Sequence, residues 1–331
     1  MRSRAARFAL VALVVALGFA LAAAPAHAKS YRMTNVAIEA VVAEDGSMLV
    51  TEQRTFDFSG DYTFAYWDLY KSGPVDAQTL GAYPVMEILG VSGPEGDYAL
   101  TTDFDAIETR PPQTYMVTDY GDSIEVRAYF RASDTEHTLT LRYRVYGAAV
   151  RWQDTSELYW QFVGDAWELD SENVSVHIVL PEGVTRSEVR AWAHGPLTGD
   201  VILNDDATVD LVVDRLPVGY FVEGRVLFPP SALSTAEMID EPRLQSVLAE
   251  EDQLADEANT ERFWSRAQMV LWILLLGILP IAALVWTYLY WKSHGKEYVP
   301  QFQGEYFREE PSDLPPAQVS ALIHMGDPSA T

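Results

Sequence analysis

Residues 36–58, VAIEAVVAEDGSMLVTEQRTFDF, decide the fold class. Val36, Ile38, Ala40 and Val42 recur with period two, Asp45-Gly46 supplies a hairpin turn, and a second strand runs from Met48 to Phe58. Alternation of this kind buries one face of a strand and leaves the other wet. It returns at Ile124, Val126, Ala128 and Phe130, and again at Leu139, Leu141, Tyr143 and Val145. Val174, Val176, Ile178 and Leu180 repeat it before Pro181-Glu182-Gly183, and Val209, Leu211 and Val213 precede a last strand read as Val218 to Phe228. Short strands separated by turn residues predict an exported antiparallel β-sandwich region of mainly β class.

The ends of the chain read differently. Residues 1–28 set Arg2, Arg4 and Arg7 before an uncharged run and Ala26-His27-Ala28, the order of a signal peptide cleaved after Ala28. Residues 29–230 then form the extracytoplasmic β domain. Pro229-Pro230 closes it, and Ser234-Thr235-Ala236-Glu237 has a capping-box pattern, so 231–266 reads as a short acidic helical stalk. Residues 267–291 contain no charge; at ~1.5 Å per residue they span roughly 37 Å, enough for one transmembrane α-helix. Phe263 and Trp264 flank one end and Trp286, Tyr288, Tyr290 and Trp291 the other, as interfacial aromatic belts, while Gly277 and Pro280 mark a mid-span irregularity. The signal peptide sets the orientation: a single pass, with the N-terminal domain outside the cell membrane and a cytoplasmic tail at 292–331.

Composition narrows function. The 331 residues hold 23 Lys and Arg against 48 Asp and Glu, a formal −25. Residues 29–266 alone hold 17 basic and 42 acidic side chains, so the acidity belongs to the exported part. Such a chain repels polyphosphate, which argues against nucleic acid, and directs any electrostatic partner of the domain toward cations or basic surfaces. Without a single Cys it has neither disulfides nor thiolate metal sites. With 48% hydrophobic and 12% aromatic residues, it is built to bury a core.

Catalytic signatures are missing: no His-Glu-x-x-His, Gly-x-Ser-x-Gly, Walker or dinucleotide pattern occurs. Asp103 with Asp105, Asp119 with Asp122, and Asp205-Asp206 with Asp210 read as turn aspartates rather than cation ligands. His177 lies out of phase with the apolar face of its strand. No catalytic residue, metal site or cofactor is therefore expected. Of the aromatic residues, Leu158, Trp160 and Phe162 read as core, whereas Trp67, Trp152 and Tyr159 are the expected exposed binding candidates.

Several motifs resemble the bacterial predicted-membrane-protein family of domain of unknown function 2207, also called YciQ-like. They are Asp45-Gly46-Ser47-Met48-Leu49-Val50-Thr51-Glu52, Leu141-Arg142-Tyr143-Arg144-Val145, the run Glu157 to Glu168, and His194-Gly195-Pro196-Leu197-Thr198-Gly199. Leu314-Pro315-Pro316-Ala317-Gln318-Val319 is similar to a further family segment. Family members usually carry an Arg near Tyr66-Trp67-Asp68, absent here, and usually continue into more membrane helices. The resemblance implies an exported β domain and a membrane location, and no activity. The expected function is thus a membrane-anchored envelope protein, its β domain binding an envelope protein or polymer, its span meeting lipid and other membrane-complex subunits. An envelope hydrolase with a carboxylate or Ser/His site is the alternative.

Overall fold

The computed structural model describes residues 29–71, 85–295 and 313–323. The expected signal peptide and most of the tail lie outside the described residues. The chain divides into two units, residues 1–260 and 261–331.

The first unit is a β domain. Its strands are β1 (Ser30–Val42), β2 (Met48–Ser59), β3 (Asp61–Tyr70), β4 (Val85–Gly93), β5 (Gly96–Asp97), β6 (Ala99–Leu100), β7 (Thr114–Asp119), β8 (Ser123–Ser133) and β9 (Glu136–Tyr146). There follow β10 (Ala149–Trp152), β11 (Ser156–Val163), β12 (Ser171–Val179), β13 (Arg190–His194), β14 (Asp200–Leu203), β15 (Val209–Leu216), β16 (Val222–Phe228) and β17 (Met238–Ile239). They make an eight-stranded sheet in the order β14-β15-β12-β1-β2-β9-β4-β5, a five-stranded sheet β13-β16-β11-β10-β17 and a four-stranded sheet β3-β8-β7-β6.

The period-two residues do what their spacing predicts. Val36, Ile38, Ala40 and Val42 are all buried, as are Val174, Val176 and Ile178, and the register sets Val36 beside Val174 and Ala40 beside Ile178. One core cluster draws on all three sheets, with Leu141 and Val176 from the first, Trp160 and Val226 from the second, and Val126 and Phe130 from the third. Gly224 of β16 marks a close approach of the first two: a Cβ there would stand 2.8 Å from Leu211 Cδ1 and 3.1 Å from Phe162 Cε2.

One expectation is refined and two are corrected. Pairing is mostly antiparallel, yet β1–β12, β10–β17 and β6–β7 are parallel. All of β2 to β11 intervenes between β1 and β12, and period-two patterning carries no information on strand direction. The last long strand starts at Val222 rather than Val218: Tyr220 N–H donates to Pro217 O at 3.1 Å, and Val218 N–H donates to Asp170 at 2.9 Å, turning the chain there. The predicted stalk is not helical from its start. Helix α1 runs Leu244–Ile273, and β17 before it pairs with Arg151 and Trp152 of β10. Ser234 spends its hydroxyl on Glu44, not on a helix N-terminus. The helix is capped instead by Asp154, whose Oδ1 accepts from Arg243 N–H at 2.8 Å and Leu244 N–H at 3.1 Å.

In the second unit the helix continues through a π-helical turn at Leu274–Ile278 into α2, Leu279–His294. Pro280 has no N–H to donate, and the wider π turn immediately before it accommodates the missing bond. Leu244–His294 is long and apolar enough to cross a membrane. A short helix α3 spans Pro316–Ile323.

Candidate functional site: an aromatic pocket and a buried ion network

Strand β3 is the edge of the four-stranded sheet, paired with β8 alone among the described residues. Ala65, Trp67 and Leu69 pack into the core, and Phe64, Tyr66, Asp68 and Tyr70 fall on the other face. A β-bulge between Tyr62 and Phe64 turns Tyr62 back onto Phe58, with ring centroids 4.4 Å apart, and edge-on to Tyr31 at 5.7 Å. These rings open on a cavity of about 300 Å³, lined also by Phe56 and by Ala166, Trp167 and Glu168 of the loop after β11.

The cavity has a defined polar complement. Lys29 and Arg110 line it but are engaged: Lys29 Nζ donates to Asp61 O at 2.6 Å, and Arg110 donates to Thr63 Oγ1 at 2.9 Å while its guanidinium lies 4.7 Å from the Phe64 ring centre. Burial raises the phenol pKa values of Tyr31 and Tyr66, and the carboxylate of Glu168 pushes both further up. Burial likewise lifts Asp68, helped by Glu125. Behind Trp167, the Arg54 guanidinium stacks 3.9 Å from its ring. Arg54 is paired with buried Glu52, which accepts from Trp67 Nε1 at 3.0 Å.

The second feature joins the five-stranded sheet to α1. Arg225 of β16, only 1% exposed, donates to Glu157 at 2.8 Å, Glu251 at 2.9 Å and Glu250 at 2.8 Å. Arg243 bonds to Glu157 at 3.2 Å and Glu250 at 2.9 Å. His194 Nε2 stands 3.4 Å from Glu251, within reach of charge attraction but without an aligned hydrogen bond. Burial opposes ionisation of Glu251, yet His194 and Arg225 overcome it and hold its carboxyl below the ordinary range. Burial raises Glu223, which the Tyr159 hydroxyl and His194 offset in part.

The predicted binding aromatics are placed differently from expectation. Trp67 and Trp152 are 1% and 3% exposed, not surface rings: Trp67 is in phase with the inward side of β3, and the Trp152 indole turns in to donate to Glu157 at 3.2 Å. Tyr159 is half-buried, donating to Glu223 at 3.1 Å and lying 4.8 Å from the Arg225 guanidinium. Trp152 and Tyr159 thus meet in the ion network, apart from Trp67. Leu158, Trp160 and Phe162 are buried, as read. The pocket rings Tyr66 and Tyr70 were missed, although their spacing in β3 is the period-two signal used elsewhere.

The aspartate pairs serve turns. Asp206 accepts Thr208 N–H and Oγ1, Asp119 accepts Gly121 N–H and Lys71, and Asp103 accepts Asp105 N–H. His177 Nδ1 lies 2.6 Å from Asp210.

Residues 32–228 match the family described as predicted membrane protein (DUF2207) N-terminal domain. The chain belongs to this family. The matched segment begins in β1 and ends at the last residue of β16, so the DUF2207 domain contains Arg225 and every pocket residue named above except Lys29 and Tyr31. No curated protein matches. Among solved structures, native leukotriene A4 hydrolase from Saccharomyces cerevisiae aligns at 9% identity over 60% of this chain and 29% of its own, with a TM-score of 0.37. An M1 zinc metallopeptidase from Deinococcus radiodurans aligns at 10% identity over 60% and 42%, with a TM-score of 0.32. The chain spans less than half of either protein, and at these scores neither informs the chemistry of the DUF2207 domain.

Proposed function

We propose that the chain is a membrane-anchored envelope protein whose exported β-sandwich domain binds a ligand or partner and performs no catalysis. The observation that supports this reading is the pocket of about 300 Å³ beside edge strand β3, walled by aromatic faces with carboxylates at its margin. Stacking surfaces with a few polar groups recognise a ligand by shape and charge. Asp103, Asp119, Asp206 and Asp210 of the sequence's aspartate pairs are engaged in turns or with His177. In this reading residues 1–28 export the chain, 267–291 anchor it, and the tail at 292–331 faces the cytoplasm.

The test is a thermal-unfolding screen of the full chain in detergent micelles against amines, saccharides and short peptides, alongside ester, glycoside and peptide turnover assays. A ligand at about 100 times its Kd adds ~2.7 kcal/mol to the stability of the state that binds it. At least one class is expected to raise the Tm of the native chain and not of Tyr66→Ala. No stabilisation by any class, or turnover lost in Glu168→Gln, contradicts the proposal.

A further inference from the structure

Resting on that binding role, we infer that the outer end of the aromatic pocket takes the ammonium group of an organic cation.

The register of β3 and β8 places Asp68 directly opposite Glu125, Tyr66 opposite Arg127 and Tyr70 opposite Ser123. Like charges facing across a strand pair repel. Arg127 bonds Glu125 at 2.9 Å and also attracts Asp68, which softens this contact, but Asp68 has no hydrogen bond or ion pair of its own among the described residues. Glu168, also on the cavity lining, has none either among the described residues. The cations of the lining keep their charge but sit at other rings: Lys29 donates to the Asp61 carbonyl and lies 5.9 Å from the Tyr62 ring centre, and Arg110 donates to the Thr63 hydroxyl 4.7 Å from that of Phe64. Arg54, behind Trp167, is neutralised by Glu52.

The cavity lining therefore presents two carboxylates without a hydrogen bond or ion pair among the described residues, together with Tyr66 and Tyr70, which are 39% and 43% exposed. A neutral polyol would stack on the rings and donate to Asp68 and Glu168 without offsetting their charge. An organic cation offsets that charge and gains the face of each ring as well. The surplus of acidic side chains throughout residues 29–266 draws the same class of ligand toward the domain.

The experiment is calorimetric titration of the full chain in detergent micelles with choline, with its uncharged isostere 3,3-dimethyl-1-butanol, and with N-acetylglucosamine. Choline is expected to bind about tenfold more tightly than the isostere, weaken as salt rises, and lose about five- to tenfold in Tyr66→Ala and in Glu168→Gln. Ile202→Ala, in β14, leaves its affinity unchanged. Tyr66 and Glu168 are exposed, so both variants keep the fold, which circular dichroism checks. Equal binding of choline and isostere, or an unaltered Glu168→Gln, overturns the cation and leaves the binding role standing. Saccharide binding lost in Tyr66→Ala without choline binding makes the pocket a glycan site, with the same consequence. Silence of every probe overturns the cation, and only a silent thermal screen as well overturns the binding role.

Discussion

Gly46 sits at φ +78° in the β1–β2 turn, and a Cβ there would stand 2.4 Å from the Ala149 carbonyl oxygen. The same turn is held by Asp45, which accepts Ser47 N–H at 2.9 Å, and by Ala149 N–H donating to Gly46 O at 2.9 Å. Gly46→Ala combines backbone strain with a clash against main chain, so a loss on the order of 3 kcal/mol is expected in chemical denaturation. Arg225→Ala is as severe, because it removes the buried cation shared by Glu157 and Glu251 and leaves them only Arg243 and His194; the cost is about 3 kcal/mol by the same measurement. The two residues differ in how far the sequence announces them. Asp45-Gly46 between alternating runs is a local signal, read at once. Arg225 is not: its partners stand at 157, 250 and 251, and only the folded chain brings those positions together.

Helix α1 begins where Asp154, from the turn between β10 and β11, accepts its first free N–H groups. Asp154→Ala is expected to cost ~1 kcal/mol and to fray the first turn, seen as faster amide exchange at Arg243 and Leu244. This cap lies about ninety residues upstream of the helix, which is why the local capping-box pattern at Ser234 misplaced the start. The docking of α1 onto β16 also carries a pH signature. Glu251, held below its ordinary 4.5, contributes stability that is present above that value and lost as pH falls through its lower folded value. Glu223, raised above its ordinary 4.5, has the opposite sign: its contribution is present below that value and lost as pH rises through its folded one. Stability followed by denaturation across a pH series should therefore improve on mild acidification and decline below 4.5. Glu223→Gln should flatten the neutral limb and Glu251→Gln the acid limb; a curve unchanged in both would contradict the network as drawn.

At the scale of the whole chain, the mainly β class and the apolar span were legible, because both rest on periodicity or on unbroken hydrophobicity, properties of neighbouring residues. The division into three sheets and the parallel β1–β12 pair were not, since they depend on which distant strands meet. The pocket was half legible: its rings follow period two along β3, but Glu168 arrives from a loop a hundred residues later. Because the chain contains no Cys, a single introduced thiol reports one site without background. The most direct test of an exported binding module is therefore the labelling of Ala166→Cys, a lining position that keeps every pocket ring, in intact, outer-layer-permeabilised cells by a membrane-impermeant maleimide, with and without a ligand from the binding screen. The account predicts labelling from outside, slowed about fivefold or more by the ligand, while Ile202→Cys is labelled at an unchanged rate. Labelling of Ala166→Cys only after the cells are lysed, or at a rate no ligand alters, would contradict it.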